Sequence, residues 1–138
     1  MTWLTSDPWT WPDVTGVVVD HLTDALAAAR PEAVVGTRIP DPRPAELVRV
    51  QRAGGVRSGV WDSARMQVEC SAPEEEDAAG LVAVVREVLR TMPLDSDPVT
   101  ATREVTGPTL LSDPVDATCT YLLAVEVRVR ALPGQPQS

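Results

Sequence analysis

The sequence predicts an α+β domain, a mostly antiparallel sheet with two helices packed on one face, in the order α-β-β-β-α-β-β. Three observations predict it. Two segments carry apolar residues at helical spacing. Five segments have the apolar alternation or β-branched character of strands. Proline and glycine clusters punctuate the intervals between them. With 138 residues, the chain is long enough for one core and too short for two.

The first helix follows "TWPD". Thr10 and Asp13 have capping-box spacing, and Trp9 and Val14 fall at staple positions. Val14, Val17, Val18, Leu22, Ala25, Leu26 and Ala29 form its apolar stripe, and Pro31 ends it. A strand is expected over Ala33–Ile39. The prolines of 40–44 exclude regular structure there. A second strand, Leu47–Ala53, alternates Val48 and Val50 with Arg49, Gln51 and Arg52. "AGGVRSG" reads as a flexible loop. A third strand, Ala64–Ser71, sets Met66, Val68 and Cys70 against Arg65, Gln67 and Glu69. These three strands are expected as an antiparallel meander.

The second helix has the strongest punctuation. Ser71 and Glu74 have capping-box spacing, and Glu74, Glu75, Glu76 and Asp77 favour the positive end of the helix dipole. Its apolar face is Ala78, Leu81, Val82, Val85, Val88 and Leu89, with Pro93 expected to close it. Strands over Val99–Val105 and Thr118–Arg130 complete the order. The expected organisation is a Trp-rich arm over 1–10, one domain over 11–131 and a disordered tail over 132–138.

Composition narrows the function. Apolar content is 43% and charged content 23%, as in a water-soluble globular protein. No apolar run approaches the roughly 18–20 residues of a membrane span. Met1–Trp11 has neither a basic n-region nor an apolar h-region, so folding in a cytoplasm is expected. The twelve basic residues are all arginine, and lysine and asparagine are absent. That bias points to a GC-rich genome, so the choice of Arg over Lys carries little chemical meaning by itself.

The net charge of −8 disfavours general nucleic-acid binding. Its distribution is uneven. Arg38–Arg65 holds six arginines against Asp41, Glu46 and Asp62, a local balance of +3, which leaves −11 for the remainder. Such polarity suits complementary surfaces in self-association or docking.

Catalytic constellations do not emerge. His21, the single histidine, lies beside the apolar stripe with no nucleophile or acid indicated. Glu74–Asp77 lacks the alternation and central glycine of a calcium loop. Cys70 and Cys119 sit in apolar alternations and read as reduced, buried thiols. "AGGVRSG" lacks the Lys-Ser/Thr of a phosphate loop. Neither enzymatic activity nor a cofactor or metal is expected. The candidate contact residues are Arg38, Arg43, Arg49, Arg52, Arg57 and Trp61, with Trp3 as an anchor in the arm. Gly54, Gly55 and Gly59 are expected in a flexible loop that a partner orders.

Several stretches together resemble a known family. "TRIPDPRPAELVRVQRAGG", "WDSARMQVECSAPEEEDAAGLVAVVREVL", "GPTLLSDP" and "YLLAVEVRVR" are similar to the small tail terminator proteins of long-tailed, siphovirus-type actinobacteriophages. The resemblance spans about Asp13–Arg130 and excludes the Trp-rich start. It implies a structural virion protein related to the lambda-type terminators. It further implies a hexameric ring that caps the tail tube, stops its polymerisation and meets the neck of the head. The implied partners are further copies of the chain, the major tail tube protein and a head-closure (stopper) protein. DNA would pass through the lumen without specific binding, and no membrane is involved. The implied location is the virion, with assembly in the host cytoplasm. An acidic bore is expected, with the arginines at protein contacts. Two other readings fit the same composition: another head-tail connector component, and a small host enzyme or ligand-binding domain.

Overall fold

Alternating apolar residues let a sheet bury one face, and the two apolar helix stripes supply what covers it. The computed structural model describes residues 9–111 and 118–133. Its elements are β1 (Trp9–Thr10), α1 (Val14–Ala29), β2 (Ala33–Gly36), β3 (Glu46–Ser58), β4 (Trp61–Ala72), α2 (Glu75–Asp95), β5 (Val99–Leu111), β6 (Cys119–Arg130) and β7 (Leu132–Pro133). Five strands form one sheet in the order β2-β3-β4-β6-β5. Both helices pack on one face of it, α1 over β2 and β3 and α2 over β4, β6 and β5. The expected α-β-β-β-α-β-β order holds, with β1 added in front and β7 behind.

The register explains the core. Val50 pairs with Val68, which pairs with Leu123, and Ala64 pairs with Val127. Directly paired residues share a face, so these side chains meet Leu22, Leu26, Leu81, Val85 and Leu89 from the helices. Burial pushes the Cys70 thiol up to about 12, which makes it an inert small hydrophobe. Cys119, expected to be buried, is half-buried at the start of β6.

Four expectations about local structure are corrected. β2 pairs with β3 in parallel, from Ala33↔Glu46 to Gly36↔Arg49, rather than as part of an antiparallel meander. Parallel neighbours need the chain to travel back along the strand. β2 has only four residues, about 13 Å, so the short proline-rich excursion over 37–45 suffices.

Secondly, "AGGVRSG" is mostly strand. β3 runs to Ser58, with a bulge between Arg52 and Gly55. Gly54 and Gly55 have φ of 99° and 118°, which only glycine adopts without strain. A Cβ on Gly55 would lie 2.2 Å from the Ser63 carbonyl oxygen across the hairpin. Gly55 therefore permits a close backbone approach, whereas Gly54 supplies only the positive φ of the bulge. Gly59, at φ 59°, opens the tight two-residue turn between Ser58 and its partner Trp61.

Thirdly, neither capping box forms. Thr10 lies in β1, and Asp13 is the N-cap of α1 without a side-chain cap bond. Ser71 is consumed by β4, where its hydroxyl meets that of Thr120 at 2.9 Å, and Glu74 caps α2 without a side-chain bond. Strand pairing with β6 wins because it satisfies Ser71 in a buried position.

Lastly, Pro93 does not end α2, which continues to Asp95. Proline has no N–H for the carbonyl four residues earlier. That carbonyl belongs to Leu89, and it accepts a 2.8 Å hydrogen bond from the Thr102 hydroxyl of β5. The helix passes its proline because a neighbouring strand replaces the lost donor.

β1 and β7 form a two-stranded ribbon, with Trp9↔Pro133 and Thr10↔Leu132. It bridges the expected arm and tail boundaries: Leu132–Pro133, read as the start of a disordered tail, is paired with the end of the arm. Trp3 lies outside the described residues.

Candidate assembly interface

Pairing also assigns every strand residue to a sheet face. The helix-free face carries Arg49, Arg65, Arg103, Arg128 and Arg130 against Glu69 and Glu126. The helices carry Asp20 and Asp24 in α1, and Glu75, Glu76, Asp77, Glu87 and Asp95 in α2, against Arg86 and Arg90. Charge polarity thus exists between the two faces of the domain. The basic segment Arg38–Arg65 is itself divided between them.

Arg52 and Arg57 lie on the helix-bearing side. Without the bulge, an odd separation of five positions would point them to opposite faces. The extra residue aims both at Asp62, which is 1% exposed. Arg52 makes a bidentate pair with Asp62, at 3.0 and 2.8 Å. Arg57 approaches the same carboxylate at 3.9 Å and stacks 3.8 Å from the centre of the Trp11 ring. The Arg52 hydrogen bonds, opposed by burial and helped by the charges of Arg52 and Arg57, hold the Asp62 carboxyl below the usual carboxylate range. Asp62 raises Arg52 in turn. Arg52 also donates to the Gly54 carbonyl at 3.1 Å, bracing the bulge. Arg52 and Arg57, both expected at a subunit contact, are thus engaged with Asp62 within their own chain.

Arg49 is also engaged, 3.7 Å from Glu69 and donating to the Thr37 carbonyl at 3.5 Å. Arg38 and Arg43 project from the exposed connection between β2 and β3. Trp61 faces the other way from Asp62, onto the helix-free face. There the guanidinium carbon of Arg128 lies 4.0 Å from its ring centre and that of Arg130 lies 5.8 Å away. Arg128 Nε is buried and, among the described residues, has no hydrogen-bond partner. Sequence reasoning found Trp61 but missed Asp62, Arg128 and Arg130. Arg128 and Arg130 were visible as the polar half of the last alternation. Only the pairing Trp61↔Arg130 brings them to Trp61.

Two other features complete the surface. Residues 52–58 are all exposed, and Val56 is 69% exposed. β2 covers β3 only from Glu46 to Arg49, and no described strand pairs with the outer edge beyond. A cleft of about 380 Å³ between α2 and β5 has Leu89, Leu123 and Val125 in its lining and the Arg86–Glu104 pair across it. Its lining includes none of His21, Tyr121 and Cys70, and its one hydroxyl, Thr102, is committed to Leu89. Among the described residues no helix is long and apolar enough to cross a membrane.

No family model matches the chain, and no curated protein matches it in sequence. Its fold is similar to that of a chain in the solved virion of a native gene transfer agent particle. The TM-score is 0.65 at 17% sequence identity, over 85% of this chain and 94% of that chain.

Proposed function

We propose that the chain is a structural virion protein, a tail terminator whose copies form a hexameric ring on the end of the tail tube. The observation that carries this reading is the likeness in fold, over 85% of this chain and 94% of that chain, to a component of a gene transfer agent virion. The stretches similar to actinobacteriophage tail terminators, from "TRIPDPRP" to "YLLAVEVRVR", point the same way independently. The front-to-back difference in charge supports it as well, because a ring is built from heterologous contacts between two unlike surfaces.

On this reading the protein performs no reaction and needs no cofactor. It ends tube growth by occupying the last ring of tube subunits, and it offers its far side to a head-closure protein. DNA passes through the bore without sequence-specific contact, and the net charge of −8 opposes retention of phosphate. The protein belongs to the virion, at the tail and neck, after assembly in the host cytoplasm. The test is electron microscopy of the purified protein, alone and mixed with tail tube protein. Closed rings, or rings at tube ends with tube length arrested, are expected. Monomers under both conditions would sink the reading.

A further inference from the structure

The two ends of β4 differ in the sign of their charge and in how far the chain itself satisfies it. At the start, Trp61 lies beneath the guanidinium groups of Arg128 and Arg130. Neither arginine forms an ion pair among the described residues, and Arg128 Nε is shielded from water without an acceptor. The nearby carboxylates are taken: Asp62 by Arg52 on the other face, and Glu126 by Arg103 at 3.1 Å. A guanidinium stacked on an aromatic ring, with its Nε buried and without an acceptor, is half of an interaction.

At the far end of β4, beyond Ala72, α2 opens with Glu74, Glu75, Glu76 and Asp77, all exposed. Of these only Glu75 has a partner among the described residues, the Tyr121 hydroxyl at 3.5 Å. Eleven residue steps separate Trp61 from Ala72, so the two ends stand about 36 Å apart. They are too far apart to meet within one chain.

We infer that the Trp61–Arg128–Arg130 end of one copy receives the Glu74–Asp77 end of α2 from a second copy, head to tail. This deepens the ring reading above and rests on it. It moves the basic half of the contact from the segment 38–57 to the end of β6. Each copy presents one head and one tail, so the contact repeats until the ring closes. The carboxylates supply the acceptors that Arg128 lacks, and the aromatic ring fixes the guanidinium geometry.

The test pairs two charge reversals. One variant carries Arg128→Glu and Arg130→Glu, and the other carries Glu75→Arg, Glu76→Arg and Asp77→Arg. Circular dichroism establishes that each folds. A neutral variant, Glu75→Gln with Glu76→Gln and Asp77→Asn, serves in place of the second if reversal weakens α2. Sedimentation velocity and electron microscopy then follow assembly, alone and with tail tube protein. Each reversal alone is expected to weaken self-association at least tenfold, as is the neutral variant. The equimolar mixture is expected to restore rings, because an even ring alternates reversed and native contacts. Rings from the arginine-reversed variant by itself overturn this contact and leave the ring reading standing. So does a mixture of folded reversals that stays monomeric, or undiminished assembly of the neutral variant. Wild-type protein that never associates overturns both. Duplex DNA bound by the wild type and lost in the arginine-reversed variant, with assembly unchanged, assigns this end to phosphate and overturns the contact.

Discussion

Two clusters flank the first residues of β4, one on each face of the sheet, and both are built from a tryptophan and two arginines. On the helix-bearing side, Trp11, Arg52 and Arg57 surround the buried carboxylate of Asp62. On the helix-free side, Trp61, Arg128 and Arg130 surround none. The carboxylate decides the role. With it, the cluster is a clamp that holds the β3–β4 hairpin to the segment leading into α1. Without it, the same residue types form an open acceptor for charge from outside. An arginine's presence in a motif therefore says little until its partner is known.

The comparison can be broken most severely at the bulge. Gly55→Ala would drive a Cβ into the Ser63 carbonyl and force an unfavourable φ, and the bulge aims both arginines of the clamp. A loss of about 3 kcal/mol is expected by urea denaturation, with the far-UV spectrum of the folded state retained. A loss under about 1 kcal/mol would show that the hairpin relaxes and that the clamp does not depend on it.

Removing the carboxylate comes next. Asp62→Asn should cost about 2 kcal/mol, because Arg52 loses a bidentate partner yet remains partly hydrated. The effect should depend on pH with a definite sign. Asp62 titrates below its unfolded value of about 3.9, so its contribution is complete above that value and disappears as pH falls through the lower folded one. The stability gap between wild type and Asp62→Asn should be constant above about pH 5 and close on acidification below about pH 4. A gap that persists undiminished at pH 2 would assign the effect to packing.

The open cluster should respond least. Arg130→Ala is expected to change stability by no more than about 0.5 kcal/mol, since it is exposed and lies at the edge of stacking distance. A larger loss would make this cluster a second clamp and remove the contrast.

The fold was legible where burial alone decided structure. The stripe in α1, the face of α2 and the alternation of β4 and β6 each report which side meets the core, and all four elements stand within a few residues of where periodicity puts them. Legibility failed where a long-range partner competed with a local signal. Ser71 has the spacing of a helix cap, but Thr120 from β6 takes its hydroxyl. Pro93 has the look of a helix stop, but Thr102 from β5 supplies the missing donor. "AGGVRSG" has the composition of a loop, but a facing strand uses the space that a side chain at Gly55 would fill. The partners of the candidate residues were hidden for the same reason. Arg52 was visible, whereas its commitment to Asp62 followed from a bulge no spacing rule announces, and Arg128 reaches Trp61 only through the register of β4 with β6.

The β1–β7 ribbon gives the molecule a property of connectivity. Trp9 and Pro133 are direct partners, so the path of the described chain is nearly a closed circle. Trp9 and Pro133 stand together at one corner of the domain. A linker joining the two ends, with new ends opened at another exposed turn, would leave every strand pairing intact. The described chain thus enters and leaves the domain at a single corner.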